Sequence, residues 1–406
     1  MICKSPRGSH HMKRIGIVGN GIAAITAIRE IRKIGNDIAI DVFTDEKYPY
    51  YPRPKLIDIV SGSISESDII QFDLKWYNEN NVNLHLSEPV TEIIPDSKTI
   101  LTASDTYFNY HKILLANGSH PFVPPIHGVE KKRVHVLRTL DDAISVRADV
   151  KGAGREIIVG GGILGIELAA AMKELGGSPI VISNIHQLLP AQLDAGASDF
   201  LIHRLEDMGI SIYLGFMCRE ISGADQATGV VSTTGDKIKG DNVVIATGVR
   251  PNTSLASESG IKVNLGVIVD QYMQTSVRDI YAAGDCTEWN GVCWGIIPVA
   301  LETARCAAKN IVDHGSAHYA GTTPSNTLKV AGIELTSIGL FNVRSPEYRS
   351  IVSANDDSGT YFKAVLKDDV FVGGIALGDR KVAMNMRRAI ANKTIISDPN
   401  RELFEQ

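Results

Sequence analysis

A strand, a glycine-rich turn and a helix occur twice in this chain, and this repeat constrains the fold more than any other feature. The first copy reads IGIVGNGIAAITAIREIRKIG and continues into IAIDVFTDE, and the second reads EIIVGGGILGIELAAAMKELGGSPIVI. Strands that alternate with helices in this way predict βαβ units with parallel strands. With 406 residues the chain is long enough for two or three domains. The sequence therefore predicts an α/β protein with two Rossmann-like domains.

The first glycine turn has the residues that a dinucleotide-binding turn requires. Gly19 to Ala24 fits GxGxxA, in which the first glycine makes the turn, the second lets the backbone approach a pyrophosphate, and the small third residue packs the helix on the strand. The N-terminus of the following helix favours an anion. Asp45 and Glu46 follow the next strand and are the predicted ligands of the ribose hydroxyls.

The second glycine turn, Gly160 to Gly165, is a complete GxGxxG and predicts a second dinucleotide site. The strand after it ends near Ser183, Asn184 and His186, where an NADH-selective site often has an acidic residue. No arginine cluster marks a pocket for the 2′-phosphate of NADPH. The sequence favours NADH weakly and leaves NADPH open.

Two similar segments indicate where the chain passes between domains. The strand that ends in Ala116-Asn117-Gly118 is followed by a proline-rich stretch, and the strand that ends in Ala246-Thr247-Gly248 is followed by Arg-Pro-Asn. We expect residues 12–120 and 240–320 to form the first domain, residues 121–239 to form an inserted second domain, and residues 321–406 to form a small third domain with a closing helix at 381–392. Residues 1–11 resemble an expression tag.

Composition excludes several classes of protein. A net charge of −5 and a pI near 6.1 argue against nucleic-acid binding. No run of about 18 apolar residues predicts a membrane-spanning helix, and no signal peptide precedes the first strand. We therefore expect a cytoplasmic protein without a membrane partner. Of the five cysteines, one lies in the tag-like segment and none forms a CxxC, so we expect no metal site.

Several motifs together resemble a known superfamily. The two glycine turns, the segment Val244 to Gly248 and the segment Ile280 to Asp285, in this order, resemble the pyridine nucleotide-disulfide oxidoreductases. The segment Tyr48 to Leu56, YPYYPRPKL, is similar to the YYxRPRL signature of NADH:rubredoxin oxidoreductases and related NADH oxidases, with Lys55 in place of the second arginine. The similarity continues through residues 160–168, 192–194 and 328–333.

This resemblance implies a glutathione-reductase-like fold that binds FAD in the first domain and NADH or NADPH in the second, with a small α+β C-terminal domain. The residues that it and the glycine motifs assign to FAD are Gly19, Asn20, Gly21, Ile22, Ala23, Asp45, Glu46, Arg53, Lys55, Val90, Ala116, Gly118, Asp285, Val299 and Lys329. The residues assigned to the nicotinamide nucleotide are Gly160, Gly162, Ile163, Leu164, Gly165, Glu167, Ser183 and Gly248.

The resemblance also implies a reaction centred on the flavin, with no catalytic side chain and with Glu167 positioning the nicotinamide. No cysteine lies between Met12 and Phe216, so a thiol relay beside the flavin is not expected, and the later cysteines are interpreted as small buried apolar side chains. Hydride would pass from NADH or NADPH to FAD, and electrons would pass on to a small carrier protein such as rubredoxin. An NADH oxidase that uses oxygen and a non-catalytic flavin-binding protein are the alternatives. The oligomeric state stays open.

Overall fold

The structure is a computed structural model that describes residues 13–35, 37–150, 154–322, 325–330 (backbone only), 333–343, 345–355 and 358–405. The tag-like segment 1–11 lies outside the described residues. The helices are α1 (Ile22–Ile34), α2 (Leu56–Ser61), α3 (Leu74–Glu79), α4 (Leu140–Val150), α5 (Ile163–Glu174), α6 (Ala195–Asp207), α7 (Ser254–Glu258), α8 (Ile297–Val312) and α9 (Arg380–Ala391).

The strands are β1 (Arg14–Val18), β2 (Ala39–Phe43), β3 (Val82–His85), β4 (Val90–Ile94), β5 (Thr99–Thr102), β6 (Tyr107–Asn109), β7 (Lys112–Leu115), β8 (Ser119–Pro121), β9 (Val134–Val136), β10 (Glu156–Val159), β11 (Ile180–Ser183), β12 (Ser211–Leu214), β13 (Cys218–Ser222), β14 (Gly229–Ser232), β15 (Lys237–Lys239), β16 (Asn242–Ile245), β17 (Val249–Pro251), β18 (Val267–Ile268), β19 (Ile280–Ala282), β20 (Thr287–Glu288), β21 (Ser325–Val330), β22 (Ile333–Gly339), β23 (Tyr348–Asn355), β24 (Thr360–Lys367) and β25 (Val370–Leu377).

The chain divides into two compact units. The first takes in the described residues up to 52, with 67–120 and 249–322, and the second takes in 53–66, 121–248 and the described residues after 322. The chain therefore leaves the first unit after His120 and returns to it at Val249. The boundaries of the three domains expected above stay a prediction.

A parallel sheet forms the centre of the first unit. Its strand order is β19-β7-β1-β2-β3, and α1 and α8 pack against each other beside it. Ile17, Val42 and Leu114, from three neighbouring strands, are fully buried. Helices over a parallel sheet bury both of its faces, which is why these strands read as continuous apolar runs. An antiparallel sheet of β4, β5 and β6 belongs to the same unit.

The second unit repeats this plan. Its parallel sheet has the order β12-β11-β10-β16-β9, and α5 packs on β10 and β11. Both units therefore carry the strand, glycine turn, helix and strand that the repeat predicts. The expectation of an α/β fold with two Rossmann-like domains is confirmed.

The last part of the second unit is an antiparallel sheet covered by a helix. The strand order is β21-β22-β25-β24-β23, and α9 packs on β25 and β22. Val382, Ala383, Met386 and Ala389 form the buried face of α9. Their spacing is that of an amphipathic helix, so the α+β character expected of this segment is confirmed.

Two kinds of feature are absent from the described residues. None of their helices is both long enough and apolar enough to cross a membrane. The same residues contain no group of three or more His, Cys, Asp and Glu side chains that could hold a metal ion.

Candidate dinucleotide-binding sites

The first glycine turn is held tightly against the sheet. Gly19 has a φ of +101°, and its amide donates a hydrogen bond to the carbonyl of Phe43 at 2.8 Å. A Cβ at Gly19 would lie 2.3 Å from the carbonyl oxygen of Ala116, so only glycine fits between β1 and the end of β7. Ala116, predicted from the sequence as a cofactor residue, therefore lies directly beside the turn.

Gly21 leaves the N-terminus of α1 open. It occupies the N-cap position without a side-chain cap, and no acidic residue stands in the first turn of the helix. A Cβ on Gly21 would meet no protein atom within 4 Å. The free amides of a helix N-terminus and its dipole attract a phosphate group. The open space and these amides fit the pyrophosphate of FAD, and Ile22 and Ala23 stand at the same helix end.

Two other predicted FAD residues accept hydrogen bonds from neighbouring side chains of the first unit. The Tyr77 hydroxyl donates to Asn20 Oδ1 at 2.7 Å, and the Ser119 hydroxyl donates to Asp285 Oδ2 at 2.9 Å. A Cβ at Gly284 would lie 2.9 Å from the Cβ of Ala23, so the segment that carries Asp285 packs against the start of α1. The structure thus brings Asp285 to the glycine turn.

The remaining predicted FAD residues of the first unit contribute backbone or packing. Val299 is buried near the start of α8, and Val90 is half-buried against the core at the start of β4. Gly118 has a φ of +67°, and its carbonyl accepts a hydrogen bond from the amide of Asn252 at 2.9 Å. The hydrogen bond to Gly118 orders the chain that follows β7.

The two acidic residues after β2 differ in their surroundings. Asp45 is exposed, whereas Glu46 is half-buried and its carboxylate accepts a hydrogen bond from the hydroxyl of Tyr51. The amide of Glu46 donates to Thr44 Oγ1 at 3.3 Å, which closes the turn after the strand. Glu46 is therefore held in place by its neighbours, and its role as a ribose ligand stays a prediction.

The second glycine turn has the same geometry as the first. Gly160 has a φ of +131°, its amide donates to the carbonyl of Ile182 at 2.8 Å, and a Cβ there would lie 2.3 Å from the carbonyl oxygen of Ala246. A Cβ on Gly162, the N-cap of α5, would meet no protein atom within 4 Å. The open N-terminus of α5 therefore fits a second pyrophosphate.

Gly165 completes the second motif. A Cβ at this position would lie 2.1 Å from the carbonyl oxygen of Gly160 and 3.2 Å from a methyl carbon of Ile158. The third glycine of GxGxxG therefore allows α5 to pack closely on β10. Ile163 and Leu164 are half-buried in the first turn of α5.

The strand that follows the second motif ends in a turn whose hydroxyl is already used. Ser183 is buried, and its Oγ accepts a hydrogen bond from the amide of Ile185 at 3.2 Å. Asn184 and Ile185 are exposed. Gly248, also predicted to lie at this site, has a φ of +101°, and its carbonyl accepts a hydrogen bond from the amide of Phe122 at 2.9 Å.

Glu167 lies in the second turn of α5, where this helix packs against α2. Burial, and secondarily the negative charge of Asp58 on α2, raise the pKa of Glu167 to about 7. A carboxyl group with this pKa changes its charge near neutral pH, which is typical of functional sites.

The predicted basic residues lie in the second unit. Arg53 and Lys55 belong to a single helical turn, Arg53–Lys55, which leads into α2. The guanidinium of Arg53 donates a hydrogen bond to the carbonyl of Arg138, and Lys55 is exposed. The backbone of Lys329 pairs with Glu334 between β21 and β22, and its side chain lies outside the described part of the chain.

Comparison with known proteins decides the family. The family model "pyridine nucleotide-disulphide oxidoreductase" matches residues 13–310. The chain belongs to this family. A second model, the rubredoxin NAD+ reductase C-terminal domain, matches residues 324–394. The resemblance seen in the motifs is confirmed.

Curated relatives in this family are oxidoreductases, in agreement with the class of enzyme expected from the sequence. The chain is 32% identical over 378 residues to NADH-rubredoxin oxidoreductase of Clostridium acetobutylicum, which covers 93% of this chain and 94% of that protein. The crystal structure of NADH:rubredoxin oxidoreductase from the same organism superposes with a TM-score of 0.79 at 28% identity, and covers 95% of this chain and 96% of that one.

A longer relative matches as well. The chain is 36% identical over 390 residues to a nitrite reductase [NAD(P)H] of Bacillus subtilis, which covers 96% of this chain and 48% of that protein. The chain therefore spans about half the length of this relative.

Members of this family are named for disulphide chemistry, but the described cysteines of this chain are poorly suited to it. Burial raises the pKa of Cys286 to about 12 and that of Cys218, Cys293 and Cys306 to about 11. Thiolate, and not thiol, is the nucleophile in disulfide exchange. The thiol of Cys286 donates to the carbonyls of Leu115 and Ala283, which is a packing role.

Sequence reasoning missed two residues around these sites, Thr44 and Asp58. Thr44 closes the turn after β2, as the predicted Ser183 does at the end of β11, and its signal is a hydroxyl residue at the end of the second strand of the βαβ unit. No sequence pattern predicts the role of Asp58. Its charge raises the pKa of Glu167 because α2 packs on α5, and no motif predicts that packing.

Proposed function

We propose that the chain is an FAD-dependent oxidoreductase that takes hydride from NADH or NADPH and passes electrons to a small carrier protein of the rubredoxin type. The observation that carries this proposal is the presence of two open glycine turns in one chain, at Gly21 and Gly162, each at the N-terminus of a helix. A single dinucleotide site binds one cofactor or one substrate. Two such sites in one chain of this family allow hydride transfer between two nucleotides.

In this proposal the first unit binds FAD. The amides at the start of α1 hold the pyrophosphate, Glu46 binds the ribose of the adenosine, and Asp285 binds the ribityl chain. The family resemblance also assigns Arg53 and Lys329 to FAD, and positive charge favours a reduced flavin. When bound, FAD supplies the ability to accept hydride and to release electrons singly.

The second unit binds the nicotinamide nucleotide, with its pyrophosphate at the start of α5 and Glu167 beside the nicotinamide. A nicotinamide ring gains positive charge as it gives up hydride. The carboxylate of Glu167 stabilises that charge, provided that it is ionised, and its pKa of about 7 places this condition near neutral pH.

Similarity supports a carrier protein as the electron acceptor. The match to an NADH-rubredoxin oxidoreductase runs over almost the full length of both chains, and the C-terminal segment matches the corresponding domain of rubredoxin reductases. A nitrite-reducing protein is the second candidate acceptor, because the nitrite reductase of Bacillus subtilis shares 36% identity with this chain.

Anaerobic titration tests the proposal. The purified chain is titrated with NADH and with NADPH while flavin absorbance is recorded, and oxidised rubredoxin is then added. We expect the flavin to bleach and rubredoxin to be reduced. The Gly162→Ala variant is the matched control, and its flavin should bleach only at higher concentrations of NADH. Bleaching that only oxygen reverses would refute the carrier role, and a flavin that NADH does not bleach would refute the proposal as a whole.

A further inference from the structure

A groove in the second unit lies between the edges of two sheets. β12 is the last strand of the parallel sheet, and β15 is the last strand of an antiparallel sheet of β13, β14 and β15. Both strands line a cavity of about 860 Å³, a volume typical of binding pockets. None of the described residues that line this groove is a predicted nucleotide ligand. The two dinucleotide sites therefore leave the groove without a role.

One side of β12 has free backbone groups. Among the described strands, β12 pairs with β11 alone. The amide of Ser211 donates a hydrogen bond to the carbonyl of Pro179 at 3.1 Å, on the side of β11. Backbone groups of successive residues in a strand point to opposite sides, so those of Ile212 and Leu214 point away from β11. A further strand in the groove could pair with them.

The outer side of β15 has free backbone groups as well. In the part of the chain that the structure describes, β15 pairs with β14 alone. The amide of Ser232 donates a hydrogen bond to the carbonyl of Asp236 at 2.9 Å, just before β15 begins, and Ile238 faces β14 in the same way. The backbone groups of Lys237 and Lys239 therefore point away from β14.

The groove carries positive charge. Arg155, Lys237 and Lys239 line it, all three are exposed, and none forms an ion pair with a described residue. Asp236 is the one acidic residue among the described residues of the lining, and its carboxylate accepts a hydrogen bond from the hydroxyl of Thr234 at 2.6 Å. The net charge of the groove therefore favours an anionic ligand.

The free strand edges narrow the class of ligand. Each edge offers amide donors and carbonyl acceptors. A fully ionised phosphate group accepts hydrogen bonds but donates none, whereas the backbone of an extended peptide does both. Lysines on a strand edge also repel the same edge of a second copy of the chain. The groove therefore fits an extended peptide segment that is itself negatively charged.

We propose that this groove binds an extended, acidic segment of a partner protein, which pairs with the free edges of β12 and β15. The four residues of β12 span about 13 Å, so about four residues of the partner lie against them. Acidic side chains of the segment face Lys237 and Lys239. The ring of Tyr213, which is 47% exposed and lines the groove, contacts apolar side chains of the segment. This interaction is separate from the proposed function, because the groove contains no predicted nucleotide ligand.

Calorimetric titration of the purified full chain tests the proposal. The probe is a short, terminally blocked peptide of alternating glutamate and valine. We expect a dissociation constant of about 100 µM or tighter. A peptide with lysine in place of each glutamate should bind at least about tenfold more weakly, because its charge has the same sign as that of the groove.

Two further measurements separate strand pairing from attraction between charges. The acidic peptide with N-methylated valines keeps its charge but loses the amide donors of those residues, so it should bind at least about tenfold more weakly. When the unmethylated peptide binds, amide hydrogen exchange should slow in residues 211–214 and 237–239, because their free backbone groups become paired.

Variants locate the peptide in the groove. Lys237→Glu should weaken binding of the acidic peptide by at least about tenfold. Lys381→Glu makes the same change of charge at an exposed lysine of α9, in the same unit, and should leave the affinity unchanged. Circular dichroism checks that both variants fold. If Lys237→Glu does not fold, Lys237→Gln replaces it and should weaken binding by about threefold or more.

Three results would overturn the proposal. The first is an acidic peptide that binds no more tightly than the lysine peptide. The second is an affinity that N-methylation leaves unchanged, which would show that the groove attracts anions without strand pairing. The third is an equal loss of affinity in Lys237→Glu and Lys381→Glu, which would place the peptide outside the groove. None of these measurements uses NADH, so the flavin titration decides the proposed function separately.

Discussion

Lys363 Nζ lies 2.7 Å from Asp194 Oδ2, and the two side chains are only 11% and 15% exposed. Asp194 also caps α6 by accepting a hydrogen bond from the amide of Ala197 at 3.0 Å, and the hydroxyl of Tyr361 donates to the same carboxylate, 3.1 Å from both of its oxygens. A single carboxylate therefore joins β24 of the C-terminal sheet to the first turn of α6 within the second unit.

Replacement of Asp194 by asparagine should destabilise the second unit by about 3 kcal/mol, since it leaves the mostly buried ammonium of Lys363 without its anion. Asparagine remains a good N-cap, so the helix itself should not fray. Urea denaturation followed by circular dichroism measures the change. As a control, Arg349→Met breaks an exposed ion pair with Asp369, whose partners are 51% and 61% exposed, and should cost about 0.5 kcal/mol or less. Equal effects of the two variants would contradict this interpretation.

Substitution of the two glycine N-caps should affect the binding of FAD and of NADH separately. In Gly21→Ala the new Cβ meets no protein atom, so the fold should persist while the methyl group enters the space that fits the phosphates, and the purified chain should lose FAD. In Gly162→Ala the same argument predicts retained FAD and a KM for NADH raised about tenfold or more. Flavin content per chain and steady-state kinetics give the two readouts. A Gly21→Ala variant that keeps its full flavin content would show that the first turn does not hold the pyrophosphate.

The rate of flavin reduction should depend on pH through Glu167. Its carboxyl has a pKa near 7, so the carboxylate fraction, and with it the reduction rate, should rise as pH increases from about 6 to 8. Stopped-flow measurements across this range should show a stepwise rise of the reduction rate with pH in the unaltered chain. In Glu167→Gln the rate should not depend on pH. Asp58→Asn removes a negative charge that raises this pKa, so the step should move to lower pH.

Glu174→Gln, which changes an exposed glutamate on the same helix, serves as the control for the pH step. It should leave the profile unchanged. A step that survives in Glu167→Gln at the same pH would assign the titration to another group.

A second buried carboxyl group should make stability depend on pH. Glu156 is fully buried at the start of β10, and neither its Oε1 nor the Oδ1 of the adjacent Asn242 has a hydrogen-bond partner. The amide nitrogen of Asn242 is already used, because it donates to the carbonyl of Asp149 at 3.2 Å. Protonation of Glu156 spares the folded chain a buried carboxylate that is incompletely hydrogen-bonded. Burial raises the pKa of Glu156 to about 7, with a further contribution from Asp241.

The sign of this effect follows from the raised pKa. The folded chain keeps a proton on Glu156 that the unfolded chain loses above about pH 4.5, so the stabilisation is complete below that pH and is lost as pH rises towards 7. Over this interval the unfolding constant should rise about tenfold per pH unit relative to Glu156→Gln, which mimics the neutral acid. Urea denaturation of both chains between pH 5 and 8 measures the difference. Parallel curves would show that Glu156 is ionised throughout.

The repeat of strand, glycine turn and helix was sufficient to predict the α/β fold and the two glycine turns. The reason is local: apolar runs specify buried parallel strands, and GxGxxG encodes a conformation within six residues. Gly19 and Gly160 show this directly, because each has the positive φ that the motif requires.

Other features depend on residues that only folding brings together. Lys363 and Asp194 are 169 positions apart, so no local pattern relates them. The raised pKa of Glu167 comes from burial, with a further contribution from Asp58 on α2. The sequence by itself determined where the two glycine turns lie, since those turns are short and local. Only the tertiary structure decided the raised pKa of Glu167 and the ion pair between Lys363 and Asp194, because solvent exclusion and long-range contacts set both.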